Sequence, residues 1–231
     1  AEWVSRASGL AEQAIASGDA DLEVRMLVAQ QSLAALGNFK PAKDPQPLLE
    51  EVLNTVEELQ EETPQIDPLW LDQIHWNTGI AYLHAVQINH QRGLTKLALE
   101  HANSAVEYLG TAAEQRRDAP ATQQLIGRLY FHIGALHAVH KEDHAEAVTW
   151  YDKAAPLLTA EAKPSELFVP RREGEALVSM AVSFWSEGER ERAVELTEAG
   201  ARLIEKAVDG QVMEESTLEI PYSNLATMHK L

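Results

Sequence analysis

Apolar residues recur every three or four positions along most of this chain, the period at which side chains return to one face of an α-helix. Trp3, Ala7, Leu10 and Ala14 predict a first helix to Ala16, stopped at Gly18-Asp19. Leu22, Met26, Ala29, Leu33 and Leu36 predict a second, stopped at Gly37-Asn38. Three prolines between Pro41 and Pro47 mark a linker, and Pro47 suits the first turn of the next helix, Leu48 to Glu62. That helix places Leu49, Leu53, Val56 and Leu59 on one side and Glu50, Glu51, Glu57, Glu58, Glu61 and Glu62 on the other. Asp67-Pro68 is a cap followed by a first-turn proline, and the helix it starts extends towards His90. Leu71, Ile74, Trp76, Ile80, Leu83 and Val86 cover most of its faces, which predicts burial from more than one side.

The second half repeats the theme. Tyr130, Ile133, Gly134 and His137 form one stripe, Lys141-Glu142-Asp143 is a polar turn, and Ala147, Val148, Tyr151 and Ala154 form the returning stripe before Pro156. Gly134 and Ala147 are small where the two helices would cross. Leu94 to Ala113 is the partner of the helix after Pro68, with Ala98, Ala102 and Ala105 in the places of Ala147, Tyr151 and Ala154. Glu173 to Glu187, a turn at Gly188-Glu189 and Glu191 to Val208 give another pair, with Ala181 and Ala193 as its small residues. Pro164 and Pro170 interrupt the chain before it. Ser216 and Glu219 have the spacing of a capping box, and Tyr222-Ser223-Asn224-Leu225-Ala226 opens a last helix.

This alternation of helix, turn and helix with small residues at the crossings resembles the tetratricopeptide repeat in a long-helix variant. The resemblance implies an all-α fold, an α-α superhelix of antiparallel helix pairs. It covers residues 68–208 well. The units are 68–113, 119–160 and 170–208, with a degenerate helix pair at 1–37, an acidic helix at 48–62 and a cap or truncated repeat at 216–231, all taken as one helical domain spanning 1–231. The small-residue marker at Gly79, Gly134, Ala181 and Ala226 recurs at intervals of 55, 47 and 45 residues, longer than the family's usual 34 or so. Armadillo- or HEAT-like repeats share that longer period. The turn after Gly134 is also one residue longer than the turn after Ala181.

The resemblance further implies a non-catalytic scaffold that holds a peptide or helix in a concave groove lined by the first helix of each unit. Carried over position by position, the partner-binding residues are Gln73, Trp76, Asn77, Ile80, Leu83 and His84 in one unit. They are Arg128, Phe131, Ala135 and Val139 in the next, Glu175, Val178, Val182 and Trp185 in the third, and Ser223, Thr227 and Lys230 in the last. Two apolar rows result, Trp76–Phe131–Val178 and Ile80–Ala135–Val182. Such a face is filled by another part of the chain or a second copy, or takes an amphipathic peptide, or is plain core. Trp76 and Ile80 stand where some members carry a Lys–Asn pair that clamps a terminal carboxylate. Only Asn77 echoes it, which argues against that ligand. A helical enzyme or ligand carrier with a pocket between Trp76, Tyr130, Phe131 and His132 is the alternative from another class, and a self-associating scaffold is a third.

Composition narrows the chemistry. The 231 residues carry 36 acidic and 19 basic side chains, a net charge of −17. Such a charge repels phosphate backbones, disfavours nucleic acid and favours a basic or amphipathic protein partner. No Lys or Arg occurs from Asp44 to Gln91. The absence of cysteine excludes disulfides, thiolate catalysis and zinc–thiolate sites. His140 and His144 have metal-binding spacing, but the turn between them breaks it, so no metal and no cofactor are expected. Arg116-Arg117 and Arg171-Arg172 are expected to pair with neighbouring acids. No apolar run is long enough to span a membrane, and a soluble, cytoplasmic chain is favoured, although one starting at Ala1 is open to being a processed or excised piece.

Overall fold

The structure is a computed structural model that describes residues 44–62, 68–111, 118–159 and 168–230, together with Val24, Val28 and Arg116. Apart from Val24 and Val28, both helical, the expected helix pair at 1–37 lies outside the described residues, as do the Asp67 cap and Pro164. All regular structure among the described residues is helical: α1 (Gln46–Glu62), α2 (Pro68–Gln91), α3 (Thr95–Gly110), α4 (Pro120–Ala135), α5 (His144–Leu158), α6 (Pro170–Ser186), α7 (Arg190–Asp209) and α8 (Glu219–Met228). A π-turn at Leu136–His140 extends α4, and a 3₁₀ turn at Glu215–Leu218 precedes α8. None of the described helices is long and apolar enough to cross a membrane. The chain divides into two compact units, Ala1–Glu114 and Gln115–Leu231, each described by itself.

In the first unit α2 packs antiparallel on α3, and α1 lies against α2. Leu49, Val52 and Val56 of α1 meet Ile74, Ala81, Ala85 and Ile88 of α2 in one apolar cluster. Leu53 is only partly buried there, so the inward stripe of α1 is centred on Val52, one position from where its leucines suggest. Burial on several sides of α2 accounts for its unbroken apolar sequence: Leu83, Val86 and Asn89 are as buried as the residues facing α1. A chain of polar contacts closes the unit. Asp44 accepts from the Gln46 backbone amide at 3.1 Å and from Arg92 at 2.9 Å, and these two interactions, in that order, hold its carboxyl below the ordinary range. Arg92 also donates to Asn89 Oδ1 at 3.3 Å, and the Asn89 amide lies 3.2 Å from His101 Nδ1 on α3. The first cation after the long acidic stretch therefore returns to its beginning.

In the second unit α4 pairs with α5 and α6 with α7, α5 packs on α6, and α8 docks on α7. Tyr151 and Phe184 are the largest fully buried side chains of the shared core. The turn at Lys141–Asp143 falls where the polar triplet predicts it, and Asp143 caps α5 by accepting from the Glu146 amide at 3.1 Å. Pro156 does not end α5, which continues to Leu158. In its final turn the proline faces solvent, so its ring meets no neighbouring helix. Pro170 likewise opens α6 instead of merely interrupting the chain, because a first-turn proline gives up no helical hydrogen bond. Ser216 and Glu219 form no capping box: Ser216 is wound into the 3₁₀ turn and Leu218 occupies the cap position.

The helix pairs share one crossing geometry. A Cβ added to Gly79 would lie 2.7 Å from Leu109 Cδ2, one on Gly127 would lie 3.0 Å from Leu158 Cδ2, and one on Gly174 would lie 2.8 Å from Ile204 Cγ1. Leu109, Leu158 and Ile204 each stand 15 residues after the cap residue of their helix, Leu94, Asp143 and Glu189. The structural counterpart of Gly79 is therefore Gly127, not Gly134, and the repeat of the notch is 48 and then 47 residues. Sequence comparison fails here because α2 carries small residues on several faces, and only contact with α3 shows which one is the crossing. Gly134 is a second notch two turns on, where an added Cβ would meet the Tyr151 ring. Its counterparts are Val86 and Ala181. Gly127 stands 16 residues before its turn's cap, against 15 for Gly79 and Gly174, and the π-turn winds up that extra residue.

At Gly174 the obstacle to a side chain is backbone, since its Cβ would sit 2.8 Å from the Gly200 carbonyl oxygen. Gly174→Ala is expected to lower unfolding free energy in urea by about 1–3 kcal/mol. Gly110→Ala, where nothing lies within 4 Å, is expected to be neutral or to stabilise by up to ~1 kcal/mol. Burial lowers the pKa of His101 below its ordinary 6.5, with Glu100 and Asp44 opposing more weakly, and burial does the same to His84. The folded chain thus binds these protons less readily than the unfolded one. Stability is full above about pH 6.5 and falls as pH drops through and below it. His101→Gln is expected to flatten that dependence in urea titrations at several pH values.

Candidate functional site

The α6–α8 face of the second unit combines exposed apolar side chains with a shaped opening. The Gly174–Gly200 contact draws α7 onto α6 and sets Ile204 alongside Val178. Beyond Asp209 the chain reverses through Gln211, in the left-handed region at φ 57, and returns as the 3₁₀ turn and α8. Pro221 is buried, the Tyr222 hydroxyl donates to Glu205, and Thr197 Oγ1 lies 3.7 Å from Met228 Sδ; these contacts tie α8 to α7. Between α6 and α8 remains an open groove of about 360 Å³. Its apolar wall is Val178, Val182, Ile204, Met213, Ile220 and Pro221, and its polar rim is Glu175, Ser179, Thr217 and Asn224. Val182 is 50% exposed and Ile220 67%.

Three of the residues singled out in the sequence meet in this groove: Glu175, Val178 and Val182. Trp185 is half-buried beside it on α6, with the Arg190 guanidinium 5.2 Å from its ring centre. Ser223, Thr227 and Lys230 are exposed on and just beyond α8. The sequence did not point to Ile204, Met213 or Ile220. Their alignment depends on where the 3₁₀ turn directs α8, and no periodicity signals that.

The residues singled out on α4 serve the interior. Arg128 is buried, and its Nε and Nη2 both donate to Glu173 Oε1 of α6, at 3.2 and 2.5 Å. Glu173 is fully buried in the first turn of α6, where the helix dipole favours a carboxylate, and its Oε2 has no hydrogen-bond partner. Phe131 stacks on Tyr151 with ring centres 6.0 Å apart, Ala135 is 5% exposed, and of this set only Val139, in the π-turn, is strongly exposed. Tyr130 packs against Trp150 and Phe131 against His132, so the aromatic rings nominated for a pocket contact other rings. In the first unit, Gln73 donates to buried Asn77 at 2.8 Å, Leu83 is fully buried, and Trp76, Ile80 and His84 are half-buried. Given the Gly79–Gly127 correspondence, Leu83 rather than Trp76 is the counterpart of Phe131 and Val178.

His140 ends the π-turn and His144 begins α5, on opposite sides of the polar turn. His144 Nδ1 lies 3.0 Å from Ser183 Oγ, and Tyr151 also bonds Ser183. Burial raises the Tyr151 pKa far above its ordinary 10. Ser183 is 1% exposed, so this serine–histidine contact ties α5 to α6 inside the core. Arg171 pairs with Glu175 at 3.2 Å, as its position among acids predicts. On α1, Glu50, Glu57 and Glu61 are exposed while Glu51 and Glu58 are half-buried. No family model matches the sequence, and no curated protein matches it.

Removing one member of the buried pair leaves the other charge uncompensated. Arg128→Met is expected to cost about 3–5 kcal/mol in urea unfolding, with most of the loss recovered in Arg128→Met/Glu173→Leu.

Proposed function

We propose that this chain is a non-catalytic protein-interaction module, built in the manner of a long-helix tetratricopeptide array, and that it captures a peptide or amphipathic helix. The observation that carries this is the α6–α8 groove. Aliphatic side chains stand open to solvent in a concavity of about 360 Å³, within the range of ligand-binding clefts and fitted to a few anchor side chains. Exposed apolar walls with a polar rim are the physical form of a helix-in-groove site. The repeated notches at Gly79, Gly127 and Gly174 support the repeat, because the two helices of each pair cross at an equivalent position. The half-buried Trp76, Ile80 and His84, with Gln73 and Asn77, form the corresponding face of the first unit in this proposal.

A neutral synthetic helix with a leucine stripe and glutamine elsewhere is a direct probe. Added to methyl-labelled protein, it is expected to shift the Val178, Val182, Ile204 and Ile220 methyl signals and leave those of Leu109 and Leu158 in place. Val182→Asn/Ile220→Asn, changed at exposed positions with little cost to folding, is expected to abolish the shifts. Unmoved groove methyls would overturn the proposal. Concentration-dependent mass in sedimentation, lost in the same variant, would replace it with a self-associating scaffold.

A further inference from the structure

Resting on that groove, we infer that its occupant is a basic amphipathic segment, one that sets Lys or Arg beside its aliphatic anchors. The charges around the opening make the case. Glu175 lies on its rim. Glu214 and Glu215 sit between the lining residues Met213 and Thr217, and Glu219 directly precedes Ile220; all three are exposed. Glu205 is next to Ile204 and holds the Tyr222 hydroxyl. Opposing these five carboxylates are Arg171 and Arg172 at the start of α6, and Arg171 is already engaged by Glu175.

The other cations of this region point elsewhere. Lys206 is two residues from Ile204, about 200° around α7 at 3.6 residues per turn. Arg202 pairs with Glu198 and Arg192 with Glu195, and all four line a separate cavity beside Thr159. Lys230 lies past the end of α8, whereas the groove uses Ile220, Pro221 and Asn224 from its first half. The opening is therefore apolar at its floor and negative at its margin, within a chain of net charge −17. Aliphatic side chains of an incoming helix fill the floor, and cations flanking them reach Glu214, Glu215 and Glu219. The margin then accelerates association and rejects acidic segments of equal hydrophobicity, which is how electrostatic complementarity acts at an interface.

The test compares three synthetic helices with one leucine stripe, carrying Lys, Gln or Glu on the polar face, by fluorescence anisotropy against the full chain. At about 50 mM sodium chloride the Lys helix is expected to bind at least roughly tenfold tighter than the Glu helix, with the Gln helix between them. At about 300 mM the gap is expected to shrink severalfold, because the screening length is shorter. Glu214→Gln/Glu215→Gln/Glu219→Gln is expected to narrow the gap at low salt while leaving the Gln helix unaffected. Val182→Asn/Ile220→Asn is expected to weaken all three.

Equal affinity for Lys and Glu helices, with the Gln helix still seated on the groove methyls, would overturn the basic partner and leave the groove intact. No binding by any of the three would remove the groove itself. Undiminished Lys-helix binding to Val182→Asn/Ile220→Asn would overturn the inference in favour of diffuse attraction to an acidic surface, and a dimer abolished by that variant would overturn it in favour of a second copy.

Discussion

How closely two helices approach is set by the side chains between them, and within the pairs α2–α3, α4–α5 and α6–α7 a glycine at the crossing removes that spacer. The consequences spread outward. At Gly174 and Gly200 both backbones lack a side chain, so a carbonyl of each helix occupies the volume a Cβ on the other would need. That closeness brings Leu203 and Ile204 against α6, and Ile204 in turn becomes one wall of the groove. At Gly134 the missing side chain makes room for a whole ring, Tyr151, whose hydroxyl then meets Ser183 on the next pair. Interiors are packed as densely as organic crystals, so such a notch and its filler act as one unit. Changing either half leaves a void or a clash.

Polar groups inside the second unit follow the same economy of space. Arg128 and Glu173 join α4 to α6 inside the unit, and one carboxylate oxygen takes both guanidinium contacts. A buried pair of this kind adds little net stability over apolar residues of equal size, but it penalises any other alignment of the two helices. The groove is the opposite case, where apolar surface is left uncovered at about 25 cal/mol per Å² of forgone burial. Val182 and Ile220 remain in water because α8 is held away from α6 by its attachments to α7.

Much of this architecture could be read in the sequence, for identifiable reasons. Helix ends were marked by strong local chemistry: Pro68 at a first turn, the Lys141–Asp143 triplet, and Gly188, which takes a positive φ at its turn. The partners Ala98, Ala102 and Ala105 were legible as small apolar residues on a regular period. The equivalence of Gly79 was not, because a helix buried on several sides offers several candidate crossings and the period alone cannot rank them. Arg128 and Ala135, nominated for a surface on α4, are buried, and Arg128 looks exposed until its partner Glu173, 45 residues away, is known. The groove was half legible. The α6 side follows from helical spacing, whereas the α8 side depends on a turn in which Gln211, not the neighbouring Gly210, takes the left-handed conformation.

The π-turn at Leu136–His140 has an implication for how such a chain changes over time. His137 offers its carbonyl to the amides of both Lys141 and Asp143, so the winding closes on itself before α5 starts. One surplus residue is stored there without rotating the helix that follows. An insertion of that size, which in a regular helix would turn every later side chain by about 100°, is confined to a single loop of backbone. The α4–α5 pair thus carries one residue more than its neighbours while Leu158 still meets Gly127 as Leu109 meets Gly79.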